Sequence, residues 1–270
     1  MRKKPSPKKS SKSSLRILII FCAVVVVAIC ISLGYRLFVL IKESKYTDGH
    51  NFIAAFTYHN DIDYIGINSA QKTFSHLKVR GGKNLEDTKK EVGILTDADI
   101  SLSKPFSLSD LPNYFTNSAW HKNQAASNLN IYDLYRLGFT TKNISTKSIT
   151  TQEIHIPIDI NLSSTMLEQL FIDETLDQEN KTVSIVNGTG IPGLGTRLER
   201  SLSYVGVNVI SVKNADTIES SSSISYSGEK SYTLDRLQEL LSVPVAQLPS
   251  QNISDILILI GKDLGQTTRF

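Results

Sequence analysis

The stretch VSIVNGTGIPGLGTRLERSLSYVGVNVISV, residues 183–212, decides the fold of the C-terminal part of the chain. The apolar run 183–186 predicts a buried strand, and residues 207–212 predict a second one. Between them lies an apolar helical stripe that ends before Gly206, formed by Leu194, Leu198, Leu202 and Val205. A leucine-rich helix over 230–241 and the wholly apolar strand 256–260 complete a small α/β domain, residues 182–264, with a mixed sheet covered by helices.

The turn from Asn187 to Gly193 contains a literal G-x-G-x-x-G, the fingerprint of dinucleotide-binding folds. Such folds also need an acid at the end of the second strand to bind the ribose hydroxyls, whereas this strand ends Val212-Lys213-Asn214. A domain of about 80 residues is also too short for both halves of a dinucleotide sheet. We therefore predict no nicotinamide nucleotide and no cofactor.

The same turn has a structural explanation. Gly188 and Gly190 are predicted to take positive φ, and Pro192 to lie in the first helical turn. Gly193 and Gly195 are predicted to permit close packing. Free amides at a helix N-terminus also bind anions, so the turn is a candidate site for a wall peptide or phosphate group. The candidate ligand-binding residues are Asn187, Gly188, Thr189, Gly190 and Gly193.

The first 41 residues predict a single-pass membrane anchor. Residues 1–16 carry seven Lys or Arg and no acid, which predicts a basic, disordered cytoplasmic tail. Residues 17–35 are almost wholly apolar, and as a helix they would extend roughly 28 Å, close to the hydrocarbon thickness of a bilayer. The helix is predicted to continue to residue 41. Because Lys and Arg are retained in the cytoplasm, the rest of the chain is predicted to lie outside the cell membrane.

Two alternatives to a retained anchor are less favoured. A cleaved signal peptide has an apolar region of only about 7 to 15 residues and a small-residue cleavage site, and this run is longer and has no such site. A lipoprotein signal needs a small residue before its cysteine, whereas Phe21 precedes Cys22 and Ile29 precedes Cys30.

The chemistry of residues 42–270 is restricted by composition. Eight of the 29 Lys and Arg lie before residue 42, so 21 remain against 26 Asp and Glu, a net charge of −5. This charge predicts no binding to nucleic acid. Both cysteines lie in the predicted span, which excludes thiol chemistry outside it. The five histidines lack metal-ligand spacing, so no metal site is predicted.

Residues 42–50 are predicted to be a linker and residues 51–180 an α+β region. Apolar alternation predicts a meander of strands over 51–58, 63–68 and 73–79. Helices are predicted over 85–95, 108–115 and 130–139, the last ending at Gly138. Residues 153–160 predict a strand that Pro157 assigns to a sheet edge. One helix from Ser163 is predicted to run into the charged segment 177–181, the expected domain boundary.

The Asn-Gly-Thr turn, the leucine stripe, Gly206 with its Val-x-Val strand and the closing ILILIGKD together resemble the C-terminal domain of LytR-type proteins, LytR_C. The resemblance covers about Thr182–Asp263 and implies a bacterial, membrane-anchored envelope protein. It carries over no established chemistry.

In many relatives a LytR/CpsA/Psr catalytic domain precedes this module and transfers polyprenyl-pyrophosphate-linked glycopolymers to peptidoglycan, using clustered arginines, aspartates and a metal. Residues 51–83 faintly resemble its opening strands, with Arg80 at the family's Ile-Pro-Arg-Asp turn and Gly81 in place of the acid. Pyrophosphate binding needs several converging cations, and residues 43–180 contain only two arginines, Arg80 and Arg136. The sequence therefore favours a degenerate, non-catalytic relative.

Three functions are compatible with these patterns. The favoured one is a non-catalytic envelope protein, anchored through residues 17–41, whose outer part binds peptidoglycan, wall glycopolymer or envelope proteins. The second is a divergent glycopolymer transferase, which would need Arg80, Lys78 and Lys83 to converge with Asp61 or Asp63 on pyrophosphate and a metal. The third is a membrane sensor that signals through its basic tail.

Overall fold

The computed structural model describes residues 12–105, 107–120, 126–145, 148–157, 160–247 and 253–265, and the chain divides into two compact units, Met1–Ser44 and Lys45–Phe270. The first unit contains one helix, α1 (Lys12–Lys42), which begins earlier than the predicted span. Residues 12–16 were predicted to be part of the disordered tail, but they are helical in the structure. They contain neither Gly nor Pro, the two residues that most disfavour a helix. The rest of that tail, residues 1–11, lies outside the described residues.

The segment Arg16–Lys42 of α1 is long and apolar enough to cross a membrane. It has 27 residues and a mean hydropathy of 3.2 in its most apolar window. Length and composition are the basis of this assignment, and a signal sequence would satisfy the same two criteria.

The second unit begins with the predicted antiparallel meander. Strands β1 (Asn51–Tyr58), β2 (Asp61–Asn68) and β3 (Thr73–Arg80) pair in chain order. Two further strands that the sequence pattern does not predict, β4 (Ala98–Ser101) and β5 (Ala126–Ser127), extend the sheet beside β1.

A sixth strand, β6 (Ile149–His155), runs parallel to β3, and the sheet order is β5-β4-β1-β2-β3-β6. This strand begins earlier than predicted and ends before Pro157. Its place at the sheet edge agrees with the prediction from that proline.

Helices α2 (Leu85–Val92), α3 (Leu111–Trp120) and α4 (Ile131–Lys142) follow in the predicted order, with a 3₁₀ turn over Leu108–Asp110 before α3. The prediction that α4 ends at Gly138 is wrong, because the helix continues for one more turn. Gly138 instead permits close helix packing: a Cβ there would lie 2.6 Å from Thr116 Cγ2 and 3.2 Å from Thr116 N. A side chain at this position would push α3 and α4 apart.

The first sheet separates two hydrophobic cores. Side chains of alternate β1 residues, Phe52, Ala54 and Phe56, pack in a cluster with α3 and α4. Ile53 and Ala55 belong to the second core, which also contains apolar residues of α2 and of α5 (Ile160–Phe171).

The single helix predicted from Ser163 is in fact two helices. A break at residues 172–173 separates α5 from α6 (Glu174–Glu179). Asp173 caps α6 by accepting a hydrogen bond from Thr175 N at 3.0 Å. The short polar cap thus starts a new helix two residues after the previous one ends.

The second sheet confirms the predicted mixed α/β architecture. Its strands are β7 (Thr182–Asn187), β8 (Asn208–Asn214), β9 (Ser223–Tyr226), β10 (Val245–Gln247) and β11 (Ile256–Ile260), in the order β10-β9-β11-β7-β8. All neighbours are parallel except β11 and β9. The helices are α7 (Leu194–Ser203), α8 (Tyr232–Leu241) and the short α9 (Lys262–Gly265). The leucines predicted to face inward from α7 and α8 are all buried: Leu194, Leu198, Leu202, Leu234, Leu237, Leu240 and Leu241.

The two sheets share one core. The cluster behind Ile53 and Ala55 continues into Val183, Ile185 and the leucines of α7 and α8. A buried ion pair also joins the regions of the two sheets. Arg236 of α8 contacts Asp97, the residue before β4, with Nη1–Oδ1 at 2.6 Å and Nη2–Oδ2 at 2.9 Å. The charged segment 177–181 therefore lies between two sheets that pack as one compact unit.

Candidate functional site: the groove beside the Asn187 turn

The turn after β7 is held by its own side chains. Asn187 Oδ1 accepts hydrogen bonds from Thr189 N at 3.1 Å and Thr189 Oγ1 at 2.7 Å, while Asn187 Nδ2 donates to Ile191 O at 2.9 Å. Thr189 Oγ1 in turn accepts from Ile191 N at 3.0 Å. The Asn187 and Thr189 side chains are thus buried in support of the backbone, as short polar side chains in turns commonly are. A ligand at this turn would meet main-chain atoms.

Two of the three motif glycines differ from the sequence prediction. Gly190 takes positive φ, 77°, as predicted. Gly188 does not; it is small because a Cβ would lie 2.8 Å from Glu219 Cγ and 3.1 Å from Ile260 O. Gly193 has φ 74° and no atom within 4 Å of its Cβ position, so the turn conformation requires it and packing does not.

The start of α7 also corrects one expectation and agrees with another. Pro192 precedes the helix, because Gly193 is the N-cap and Leu194 the first helical residue. Gly195 does permit close packing, since a Cβ would lie 2.8 Å from Val212 Cγ1.

The segment 215–222 crosses the carboxyl ends of β7 and β11. Glu219 N donates to Gly188 O at 2.7 Å, Gly188 N to Ile260 O at 2.8 Å, and Lys262 N to Glu219 O at 3.0 Å. Because β7 lies between β8 and β11, this is the crevice where open parallel sheets bind ligands. Here the chain's own backbone fills the crevice, and a pyrophosphate would have to displace it.

A groove of about 270 Å³ remains between the turn and residues 214–218. Gly188, Gly190 and Pro192 line one wall, and Asn214 and Thr217 line the other. Two isoleucines of the lining, Ile191 and Ile218, are 41% and 62% exposed. The volume is near the lower end of small-ligand sites, roughly 300 Å³. The groove therefore suits one small group with an apolar face.

The charge of the groove favours a neutral ligand. Asp216 contributes a carboxylate, and none of the residues that line the groove is basic. A phosphate would be repelled by this carboxylate, whereas hydroxyl and amide groups can bond to Asn214, Thr217 and the main chain. The wall formed by residues 214–218 was not predicted from the sequence. The signal was present, however, because β7 and β8 are parallel and their carboxyl ends open at the same sheet edge.

Arg80, the residue that a pyrophosphate site would need, is held by acids. Its Nη2 lies 2.9 Å from Asp63 Oδ1 and its Nε 3.7 Å from Asp61 Oδ2, while His76 Nε2 lies 3.4 Å from Asp63 Oδ1. Burial alone would raise the pKa of Asp63, but His76 and Arg80 outweigh it and lower the pKa. Asp63 is therefore charged and neutralises Arg80.

Lys78 and Lys83, the other cations that the transferase hypothesis requires, lie on different elements. Lys78 lies opposite Asp63 in the β2/β3 register, and Lys83 is exposed in the loop after β3. Within the described ranges, no three His, Cys, Asp or Glu side chains come together in a way that could hold a metal ion. The structure thus unites Arg80 with Asp61 and Asp63 as ion pairs.

The fold and groove define a small mixed α/β module that follows an α+β region and an apolar N-terminal helix. Residues 180–264 match the LytR_C family, described as LytR cell envelope-related transcriptional attenuator. This match supports the LytR C-terminal domain predicted from the Asn187 turn and indicates a cell envelope-related protein. No curated protein and no solved structure matches the chain. The matched residues begin at 180, so the resemblance of residues 51–83 to a LytR/CpsA/Psr domain stays a prediction.

Proposed function

We propose that this chain is a membrane-anchored bacterial envelope protein whose outer part binds wall material without catalysis. Three observations support the proposal: the LytR_C match, the apolar helix Arg16–Lys42 and the basic residues before it. Since Lys and Arg are retained in the cytoplasm, the LytR_C module and its groove would face the wall.

The groove beside the Asn187 turn is the observation that carries the proposal. It combines exposed Ile191 and Ile218 with the polar residues Asn214 and Thr217 and one carboxylate. Sugar rings and peptides present apolar faces edged by hydroxyl or amide groups, and these match such a lining. We therefore propose the glycan or stem peptide of peptidoglycan as the ligand, in preference to the phosphate of an anionic wall polymer.

A sedimentation assay with purified sacculi tests this proposal. The full-length chain in detergent micelles is mixed with sacculi that retain their phosphodiester-linked polymers and with sacculi stripped of them by acid. Binding is expected to both. Ile218→Asp should weaken binding about tenfold, equivalent to about 1.4 kcal/mol, because it replaces an apolar contact surface of the groove with a hydrated carboxylate that the ligand would have to desolvate.

Ile210→Asp is the matched control, because Ile210 is 45% exposed and does not line the groove. It should bind sacculi as the wild type does. Binding only to unstripped sacculi would contradict a neutral ligand and favour an anion at the turn. No binding to either preparation, together with one protein crosslinked in intact cells, would replace wall binding by assembly with an envelope protein.

The divergent transferase is the alternative function. It requires Arg80 to leave Asp63 and Asp61 and to contact pyrophosphate, so the ion pairs at 2.9 and 3.7 Å oppose it. Incubation of the full-length chain with lipid-linked glycan and peptidoglycan is expected to give no transfer. Transfer that disappears in Arg80→Ala and persists in Arg136→Ala would establish the alternative.

A further inference from the structure

The outer face of α4 carries an apolar stripe that nothing covers among the described residues. Ile131, Tyr135 and Phe139 are spaced four residues apart and are 42%, 59% and 66% exposed. Residues at this spacing lie on one side of a helix. Single exposed apolar residues are ordinary, but three large ones in a row along one helix mark an interaction surface.

The opposite face of α4 already has its partners. Leu134 and Leu137 are buried in the core against the first sheet, and Gly138 touches α3. The stripe is therefore not a misplaced core face. Tyr132, half-buried, lies beside the stripe, and Lys142, exposed, continues it at the C-terminal end of α4, so the exposed residues of this face are aromatic and aliphatic with one cation.

The chain that leaves the apolar helix α1 is fastened to α4. Lys45 N and Tyr46 N both donate to Asp133 Oδ1, at 3.0 and 3.1 Å. Tyr46 Oη donates to Thr140 Oγ1 at 3.0 Å, and Arg136 Nη1 donates to Tyr46 O at 2.8 Å. At about 100° per residue, Arg136 and Thr140 lie on the flank of α4 next to the stripe.

Only Glu43 and Ser44 separate the end of α1 at Lys42 from Lys45. Three Cα steps span at most about 11 Å, which is comparable to the diameter of one helix. If α1 spans the membrane, α4 is within reach of the headgroup layer. Tyr and Lys favour this layer because they combine apolar bodies with polar or charged ends, and Phe and Ile add apolar surface that is buried at the boundary between headgroups and acyl chains.

We propose that the stripe formed by Ile131, Tyr135 and Phe139 inserts into the outer-leaflet interface of the membrane that α1 spans. The proposal rests on the membrane anchoring that forms part of the proposed function. Insertion of the stripe orients the compact unit Lys45–Phe270 on the bilayer, so the groove beside the Asn187 turn is presented at a set height toward the wall.

Lipid quenching of a site-specific label tests the insertion. In a Cys22→Ser/Cys30→Ser background, Phe139→Cys carries a polarity-sensitive dye, and the full chain is reconstituted in phosphatidylglycerol–phosphatidylcholine vesicles with or without nitroxide-labelled lipid. The expected result is a blue-shifted emission that loses most of its intensity when nitroxide lipid is present. Lys142→Cys, on the same outer face, should behave similarly.

Glu229→Cys with the same dye is the control, because Glu229 is exposed in the second sheet's part of the unit. Its emission should be unaffected by nitroxide lipid. Equal emission from the dye at residues 139, 142 and 229 would overturn the proposal. A blue shift that depends on the protein-to-lipid ratio and is unchanged by nitroxide lipid would also overturn it, because it would indicate that a second copy of the chain covers the stripe.

Flotation separates this inference from the proposed function. If the chain leaves the vesicles after an alkaline wash, α1 is not an anchor and the proposed function fails together with the insertion. If the chain floats with the vesicles and residue 139 is not quenched, the anchor stands and only the insertion is wrong. The unfolding midpoint of each labelled variant should equal that of the wild type, since the labelled positions are exposed.

Discussion

Removing one partner of the Arg236–Asp97 ion pair is expected to destabilise the folded chain by about 3–5 kcal/mol. The two side chains are only 3% and 5% exposed, and Arg236 Nη2 also donates to Asn51 O at 2.9 Å. Burial alone would lower the pKa of Arg236, but the Asp97 carboxylate outweighs it and raises the pKa, so the guanidinium is charged. Arg236→Met keeps most of the apolar stem and leaves the Asp97 charge buried with the hydrogen bond from Ile53 N.

The expected change is large enough to measure by thermal and urea unfolding. For a unit of this size, about 3–5 kcal/mol lowers Tm by roughly 6–20 °C. Circular dichroism of the full chain in detergent micelles follows the transition. The helix α1 should keep its circular dichroism signal in the micelle, so the loss of ellipticity reports the unfolding of residues 45–270.

The control is the exposed ion pair Lys89–Asp99, with Nζ–Oδ1 at 2.6 Å and side chains 22% and 51% exposed. Lys89→Met should cost about 1 kcal/mol or less, because solvent screens an exposed pair. The double variant Arg236→Met/Asp97→Leu should lose less than the two single variants together, since it leaves no buried charge unpaired. Equal losses for Arg236→Met and Lys89→Met, or additive losses in the double variant, would refute the reasoning.

Four further substitutions test the part of the chain that surrounds the second sheet. Glu179 accepts hydrogen bonds from Tyr232 N and Thr233 N at the start of α8, so Glu179→Ala should cost roughly 1–2 kcal/mol in urea unfolding, and an unchanged midpoint would contradict its role as a cap. Gly261→Ala should cost roughly 1–3 kcal/mol of stability because the added Cβ would lie 2.4 Å from Ser221 C. Gly193→Asn should cost less, because this site has φ 74° and no neighbouring atom within 4 Å. A larger loss for Gly193→Asn than for Gly261→Ala would be inconsistent with the structure. The backbone and side-chain hydrogen bonds from Thr182 lower the pKa of Asp255. In acid the folded state therefore binds fewer protons than the unfolded state does. The stability that the Asp255 carboxylate contributes is present above about pH 4 and is lost below it. Asp255→Asn should therefore flatten the dependence of the urea midpoint on pH in acid, and an unchanged dependence would count against this assignment.

Local periodicity was sufficient to predict strands β7, β8 and β11 of the second sheet and helices α7 and α8. Val183, Leu194 and Ile256 and their equivalents repeat at strand or helix spacing, and each lies in the core. The meander of the first sheet was predicted for the same reason. The unpredicted strands β4, β5 and β10 have four residues or fewer, too short for any periodicity to identify them.

Contacts distant in sequence account for what the patterns missed. Arg236 is a single arginine in a leucine-rich helix, and its partner Asp97 lies 139 residues earlier. Gly138 is typical of a helix end, and only the neighbouring helix shows that it serves close packing. The transferase alternative required Arg80 to converge with Asp61 or Asp63, and the structure places the three side chains together. Sequence spacing could not show that these contacts are ion pairs that occupy the guanidinium.

The ion pair between Arg236 and Asp97 adds specificity more than stability. Desolvation of two buried charges offsets most of their attraction, so the shared apolar core supplies the net free energy that holds the two sheets together. A different packing of the LytR_C module on the first sheet would bury the same two charges without partners, at a cost of about 3–5 kcal/mol. Among the possible packings of two apolar surfaces, the pair therefore selects one. We infer that the groove beside the Asn187 turn has a fixed direction relative to α4, which a flexible linker at residues 177–181 would not give it.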